Sequence, residues 1–185
     1  MDKATICTMA LRLVGEYEYE AQSSAWNACE VYFKQALDEM AAVHDWSFFR
    51  RRSVLSKNSE GEYTIPFDCL RIVELRGLRN WRIFGTRIRP ESDRDPGGDV
   101  EMVYTSNCMS NRGEVPDTVP EFVHALVCRL AGYLAASLAA NQQLRIAMEQ
   151  ECEVWLDRAM THDTQNDNSN DQHPLKRLME RDILA

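Results

Sequence analysis

Two hydrophobic periods alternate along the chain, and the change between them divides it. Over residues 3–14, Ile6, Met9, Ala10 and Leu13 recur at three- and four-residue spacing, one face of a helix, and Gly15 supplies a helix stop. Ser23 and Ser24 offer an N-cap for a helix over about 25–44. Its apolar stripe is Trp26, Cys29, Phe33, Ala36, Leu37 and Met40, with Asn27, Glu30, Lys34 and Asp38 opposite. The segment closes on Asp45-Trp46-Ser47-Phe48-Phe49 and an arginine triplet. From 53 to 117 the period shortens to two: Val54-Leu55, Tyr63–Ile65, Leu70–Leu75, Trp81–Phe84 and Val100–Tyr104 read as short strands. Glu60-Gly61, Pro66-Phe67-Asp68, Gly77, Gly85 and Asp95–Gly98 punctuate them. Thr118-Val119-Pro120-Glu121 reads as a capping box before a helix over 119–140, and Asn141 as the cap of another over 142–161. The pattern predicts a mainly α fold: an antiparallel bundle of about four helices from 1–52 and 118–162, an inserted small antiparallel β-sheet at 53–117, and an extended C-terminal tail at 163–185.

Helix 119–140 has almost no polar face. In a small protein such a helix is either central or shared with a neighbouring subunit, so Phe122, Leu126, Leu130, Tyr133 and Leu134 are candidate subunit-interface residues. The 19-residue run 122–140 approaches a membrane span in length. Arg129 near its middle would cost about 2.5–3.5 kcal/mol to insert, which favours a buried helix and no membrane partner. Beyond His162 the chain is too polar to pack until Pro174, Leu175, Lys176, Arg177, Leu178, Met179 and Ile183, a tip suited to ordering on a partner.

At 185 residues the chain can bury roughly 70% of its unfolded surface, so the fold needs neither metal nor disulfide. Its six cysteines are scattered through apolar segments without a C-x-x-C, as buried hydrophobes are. Residues 1–7 lack the basic start and apolar run of a secretion signal, so synthesis in a reducing cytoplasm is expected. A formal charge of −8 argues against phosphate binding as the main activity. Residues 1–52, 53–117, 118–162 and 163–185 each carry −2. Arg50, Arg51 and Arg52 are the candidate contact for DNA or an acidic partner; with no second basic cluster to extend the patch, complementing the dipole at the end of a helix is the favoured reading.

Catalytic motifs are absent: there is no G-x-G-x-x-G, P-loop, H-E-x-x-H or G-x-S-x-G. His124 and Cys128 lie four apart on one helix, a spacing more common in packed cores than in metal sites. The calcium-like run from Asp167 has Gln172 where a glycine is needed and Leu178 where a bidentate glutamate is needed. Glu101 with Asp99 or Glu114 would be a carboxylate pair only by selection from 29 acids. No cofactor, metal site or enzyme activity is expected.

The order of several short motifs resembles the head-to-tail adaptors of short-tailed bacteriophages, the tail tubular protein A-like group. They are Met9-Ala10-Leu11-Arg12-Leu13-Val14-Gly15-Glu16; Asp45-Trp46-Ser47-Phe48; Tyr63-Thr64-Ile65-Pro66-Phe67-Asp68-Cys69-Leu70-Arg71-Ile72; the aromatic strand Val100–Tyr104; and Val119-Pro120-Glu121-Phe122-Val123-His124-Ala125-Leu126 through Leu130-Ala131. The resemblance covers about residues 5–163 and is weakest at 85–100. It implies a structural virion protein at the head-tail junction, a twelve-copy ring between the portal protein and the tail nozzle protein. The ring would extend the channel for double-stranded DNA without binding it specifically, and the C-terminal tail would dock on the portal. A tail-associated cell-wall hydrolase and a small DNA-binding module centred on Arg50–Arg52 are the alternative readings.

Overall fold

The computed structural model describes residues 1–16, 20, 22–91 and 98–166. The elements run α1 (Lys3–Leu13), α2 (Ser24–Val43), β1 (Arg50–Leu55), β2 (Tyr63–Thr64), β3 (Cys69–Arg76), β4 (Trp81–Phe84), β5 (Arg87–Pro90), β6 (Val100–Ser106), α3 (Cys108–Arg112), α4 (Pro120–Ser137) and α5 (Gln142–Asn166).

This corrects the expected four-helix bundle with one small sheet. The described residues form five helices and two three-stranded antiparallel sheets, ordered β1-β6-β3 and β2-β5-β4. The unexpected short helix α3, Cys108–Arg112, and two errors of periodicity account for the difference. Arg50–Arg52 form the first half of β1, not the end of a helix, because α2 stops at Val43 and the chain turns through residues 44–49. Strand β5 carries a single buried apolar residue, Ile88, among arginines and a proline, too little alternation to register as a strand. A Gly85-Thr86 turn, with Gly85 at φ +60°, folds β5 back on β4.

Each helix start has its own chemistry. The Asp2 carboxylate accepts the Thr5 N–H at 2.9 Å, and Ser23 Oγ accepts the Trp26 N–H at 3.0 Å. Asn141 Oδ1 accepts the Leu144 N–H at 3.0 Å. The expected Thr118 cap does not form: Val119 occupies the N-cap without a side-chain hydrogen bond, and Pro120 begins α4, where its missing N–H costs nothing. Gly15, at φ +87°, ends α1 with its N–H on the Arg12 carbonyl.

Two apolar clusters result. The larger joins α1, α2, α4 and α5 around Phe33, Leu37, Phe122, Leu126 and Leu130. The smaller lies between the sheets, around Tyr63, Ile88, Val100, Met102 and Tyr104. Strand β6 serves both sides. Met102 and Tyr104 enter the sheet cluster, whereas the alternate residues Val103 and Thr105 are buried on the other face, the one towards α2. Among the described residues no helix is long and apolar enough to cross a membrane.

Gly132 lies on α4 against Met148 and Glu149 of α5. A β-carbon there would meet neighbours at 3.8–3.9 Å, ordinary van der Waals contact. Because glycine inside a helix costs about 0.5–1 kcal/mol relative to alanine, Gly132→Ala is expected to raise unfolding free energy by about that amount. Urea denaturation followed by tryptophan fluorescence measures it; a loss of stability would show that α4 and α5 need closer approach than this packing has.

Candidate functional site

Apart from Met9–Glu16, the segments that carry the resemblance meet where the helices join the sheets. After α2 the chain bends through Asp45–Phe49, and Trp46 is fully buried, its indole N–H donating to the Met40 carbonyl at 2.8 Å. Trp46, Phe48 and Phe49 surround the Phe122 ring at centroid distances of 5.0, 5.2 and 5.6 Å, all edge to face. Such pairs add about 0.5–1.5 kcal/mol each beyond area burial. The Phe49 carbonyl accepts the Ser106 N–H at 2.9 Å, and Ser106 Oγ donates to the Asp68 carboxylate at 2.6 Å. Tyr104 also donates to Asp68, and its hydroxyl pKa is pushed up to about 12 by burial and then by that carboxylate. Asp68 therefore ties the β2–β3 turn to the end of β6, and β6 to the bend.

The end of α5 closes the same junction. Asp163, 2% exposed, accepts the Ser47 N–H at 3.0 Å and the Ser47 hydroxyl at 2.6 Å. His44 Nε2 lies 3.7 Å from the same carboxylate, its ring against Trp46. Serine and histidine both face the acid rather than each other, so the trio has the geometry of a latch and not of a nucleophile with its base. One residue earlier, His162 Nδ1 is 3.0 Å from Glu121 on α4, and that contact holds the Glu121 carboxyl below its ordinary pKa.

Of the expected subunit-interface residues, Phe122, Leu126, Leu130 and Leu134 are completely buried within one copy, where α1, α2, α5 and the aromatic bend pack on α4. Tyr133 is half-buried; it stacks on Tyr32 at 5.5 Å and donates to Glu39. The arginine triplet is also divided. Arg50 pairs with Asp45 at 2.9 Å, Arg51 donates to Cys108 Sγ from the opposite face of β1, and Arg52 lies 3.9 Å from Glu101. Alternation along a strand thus prevents one continuous patch. Residues 174–183 lie outside the described residues, as does the calcium-like run from Asp167. Of the tail expected from 163, residues 163–166 belong to α5.

His124 stacks on Trp155 at 4.8 Å, while Cys128 is buried between α4 and α5, its thiol pKa pushed up to about 11 by burial. Glu101 faces Arg52 and Arg76 and Asp99 accepts the Ser56 hydroxyl, so these two acids serve separate contacts, while Glu114 pairs with Asp2 through the backbone alone. Among the described residues no group of three His, Cys, Asp or Glu side chains has the arrangement to hold a metal.

The β4–β5 hairpin was missed as a site. Residues 76–90 hold five arginines and no acid, a signal concealed by summing 53–117 to −2. Arg82 stands directly opposite Arg89, and Phe84 opposite Arg87, with the Arg89 guanidinium 5.0 Å over the Phe84 ring. Arg89 donates twice to Glu62, at 2.6 and 2.8 Å, and Arg87 reaches Glu62 and Glu60. These guanidinium bonds, first Arg89 and then Arg87, hold the buried Glu62 carboxyl below its ordinary pKa. Comparison with models of known protein families and with curated proteins returned no match.

Two outcomes follow from these clamps. Asp163→Ala leaves the Ser47 N–H without its acceptor and is expected to cost about 1–3 kcal/mol in urea unfolding. An unchanged midpoint would mean that the end of α5 frays without consequence. Glu62, with its lowered folded pKa, stabilises the sheets fully above the unfolded carboxylate value of about 4.3, and loses that contribution as pH falls through the folded value. Glu62→Gln is therefore expected to lose stability at neutral pH and to flatten the acid limb of a stability–pH curve. An equally steep limb in the variant would assign it to other carboxylates.

Proposed function

We propose that this chain is a head-to-tail adaptor of a short-tailed bacteriophage: a structural protein that forms a ring between the portal and the tail nozzle and continues the DNA channel. One observation carries the reading. Three motif segments distant in sequence, Asp45–Phe48, Tyr63–Ile72 and the start of α4, meet at a single junction: Trp46 and Phe48 pack on Phe122, and Asp68 reaches the same bend through Ser106 and Phe49, which adjoin the motifs. The motifs are thus the residues the architecture requires, which is what a shared fold would preserve. A charge of −8 is compatible with a conduit along which DNA slides without adhering.

In this reading the residues after α5 dock on the portal. Since Asp163 belongs to the junction, the appropriate truncation removes 167–185 and keeps the latch. Negative-stain imaging of the protein mixed with its cognate portal tests both parts. The full chain is expected to add ring density beneath the portal, and the truncated chain to add little. Equal density from both would overturn the docking role of the tail, and density from neither would overturn the adaptor assignment.

A further inference from the structure

Two surfaces of this chain are opposite in charge, alike in having a half-exposed apolar centre, and separate within one copy. The first is the outer face of the β4–β5 hairpin, where Phe84, 52% exposed, sits among Arg82, Arg87 and Arg89. Arg82, 70% exposed, pairs with Glu91, and Arg89, 61% exposed, pairs with Glu62. Like charges directly opposite each other across two strands oppose pairing, and the compensation is incomplete: Arg79, exposed beside β4, has no carboxylate partner among the described residues.

The second is the outer face of α5. Ile146, Gln150, Glu153, Val154 and Asp157 recur at helical spacing on one side, away from the buried Met148, Cys152, Leu156 and Ala159. Ile146 and Val154 are about half exposed, and Glu153 and Asp157 are exposed with no side-chain hydrogen bond or ion pair among the described residues. The hairpin packs on β2 and makes no substantial contact with α5.

We propose that the β4–β5 hairpin of one copy binds the outer face of α5 of a second copy. Phe84 then lies against Ile146 and Val154, and the arginines ring them opposite Glu153 and Asp157: an apolar centre inside a complementary charged rim. A second copy suits the hairpin better than a nucleic acid does. All 29 carboxylates lie outside residues 76–90, so a polyanion approaching the hairpin meets an acidic body, whereas a second copy offers those same acids as partners. Because the two faces differ, each copy retains one face unfilled after every contact, and the association propagates until it closes. The inference deepens the ring reading and rests on it for that closure.

Sedimentation velocity on the full chain, across protein concentration and salt, tests it. The wild type is expected to self-associate at low salt and to dissociate as salt rises. Arg79→Glu with Arg82→Glu leaves the Glu62 clamp intact and is expected to weaken association at least about tenfold. Glu153→Lys with Asp157→Lys does the same from the other face. Combining all four reversals in one chain restores association to within about threefold of wild type. A wild type that stays monomeric to about 1 mM, or double variants that associate like wild type, would overturn the proposal. So would a quadruple variant that stays dissociated, or a hairpin that retains duplex DNA while the protein remains monomeric. If copies fail to self-associate but still add density to the portal, the docking of copy on copy fails and the adaptor assignment stands. If they self-associate with no affinity for portal, the reverse holds.

Discussion

Edge-to-face packing around Phe122 sets the rest of the structure. The ring sits in the first turn of α4, and Trp46, Phe48 and Phe49 reach it from a bend that has no regular hydrogen-bond ladder of its own. That cluster, together with the Ser47–Asp163 and Arg50–Asp45 contacts, fixes the angle at which the chain leaves α2 and enters β1. With it, the backbone of Phe49 is held where its carbonyl receives Ser106, and the central strand β6 is placed. The two apolar clusters are thus coupled through one aromatic contact and one short hydrogen-bonded path, and each sheet or helix inherits its position from that joint.

Much of this was legible in the pattern of residues. Long amphipathic stripes located α2 and α5, and the apolar run located α4. The short strands with turn residues between them located β2, β3, β4, β6 and the end of β1. What escaped were features whose signal is not periodic. A single Ile88 among arginines does not alternate, so β5 and with it the second sheet went unseen. The triplet Arg50–Arg52 sits in a strand because α2 ends at Val43 and the six residues 44–49 of the aromatic bend redirect the chain before it, a tertiary effect that no local propensity encodes. The apolar excess of α4 pointed to a neighbouring subunit because the aromatic bend was not counted among the elements available to cover it.

The functional surfaces had the same character. Asp163 looked like the first residue of a polar tail, since its partner Ser47 lies 116 residues away. The hairpin arginines disappeared in a segment sum of −2, although a window of fifteen residues isolates five cations with no acid between them. Charge here is organised on the scale of one hairpin and one helix face, and averaging over subdomains removes it.

The latch at Asp163 has a mechanical corollary. The last turn of α5 is joined to Ser47, and Ser47 is followed within three residues by β1. Tension applied to the polypeptide beyond Asn166 would therefore not simply unwind the helix from its end. It would be passed sideways at the serine into the aromatic bend and along β1 to its neighbour β6, loading the strands by shear across many hydrogen bonds at once. A pull arriving at this end of the molecule is shared by the sheet and, through His162 and Glu121, by α4.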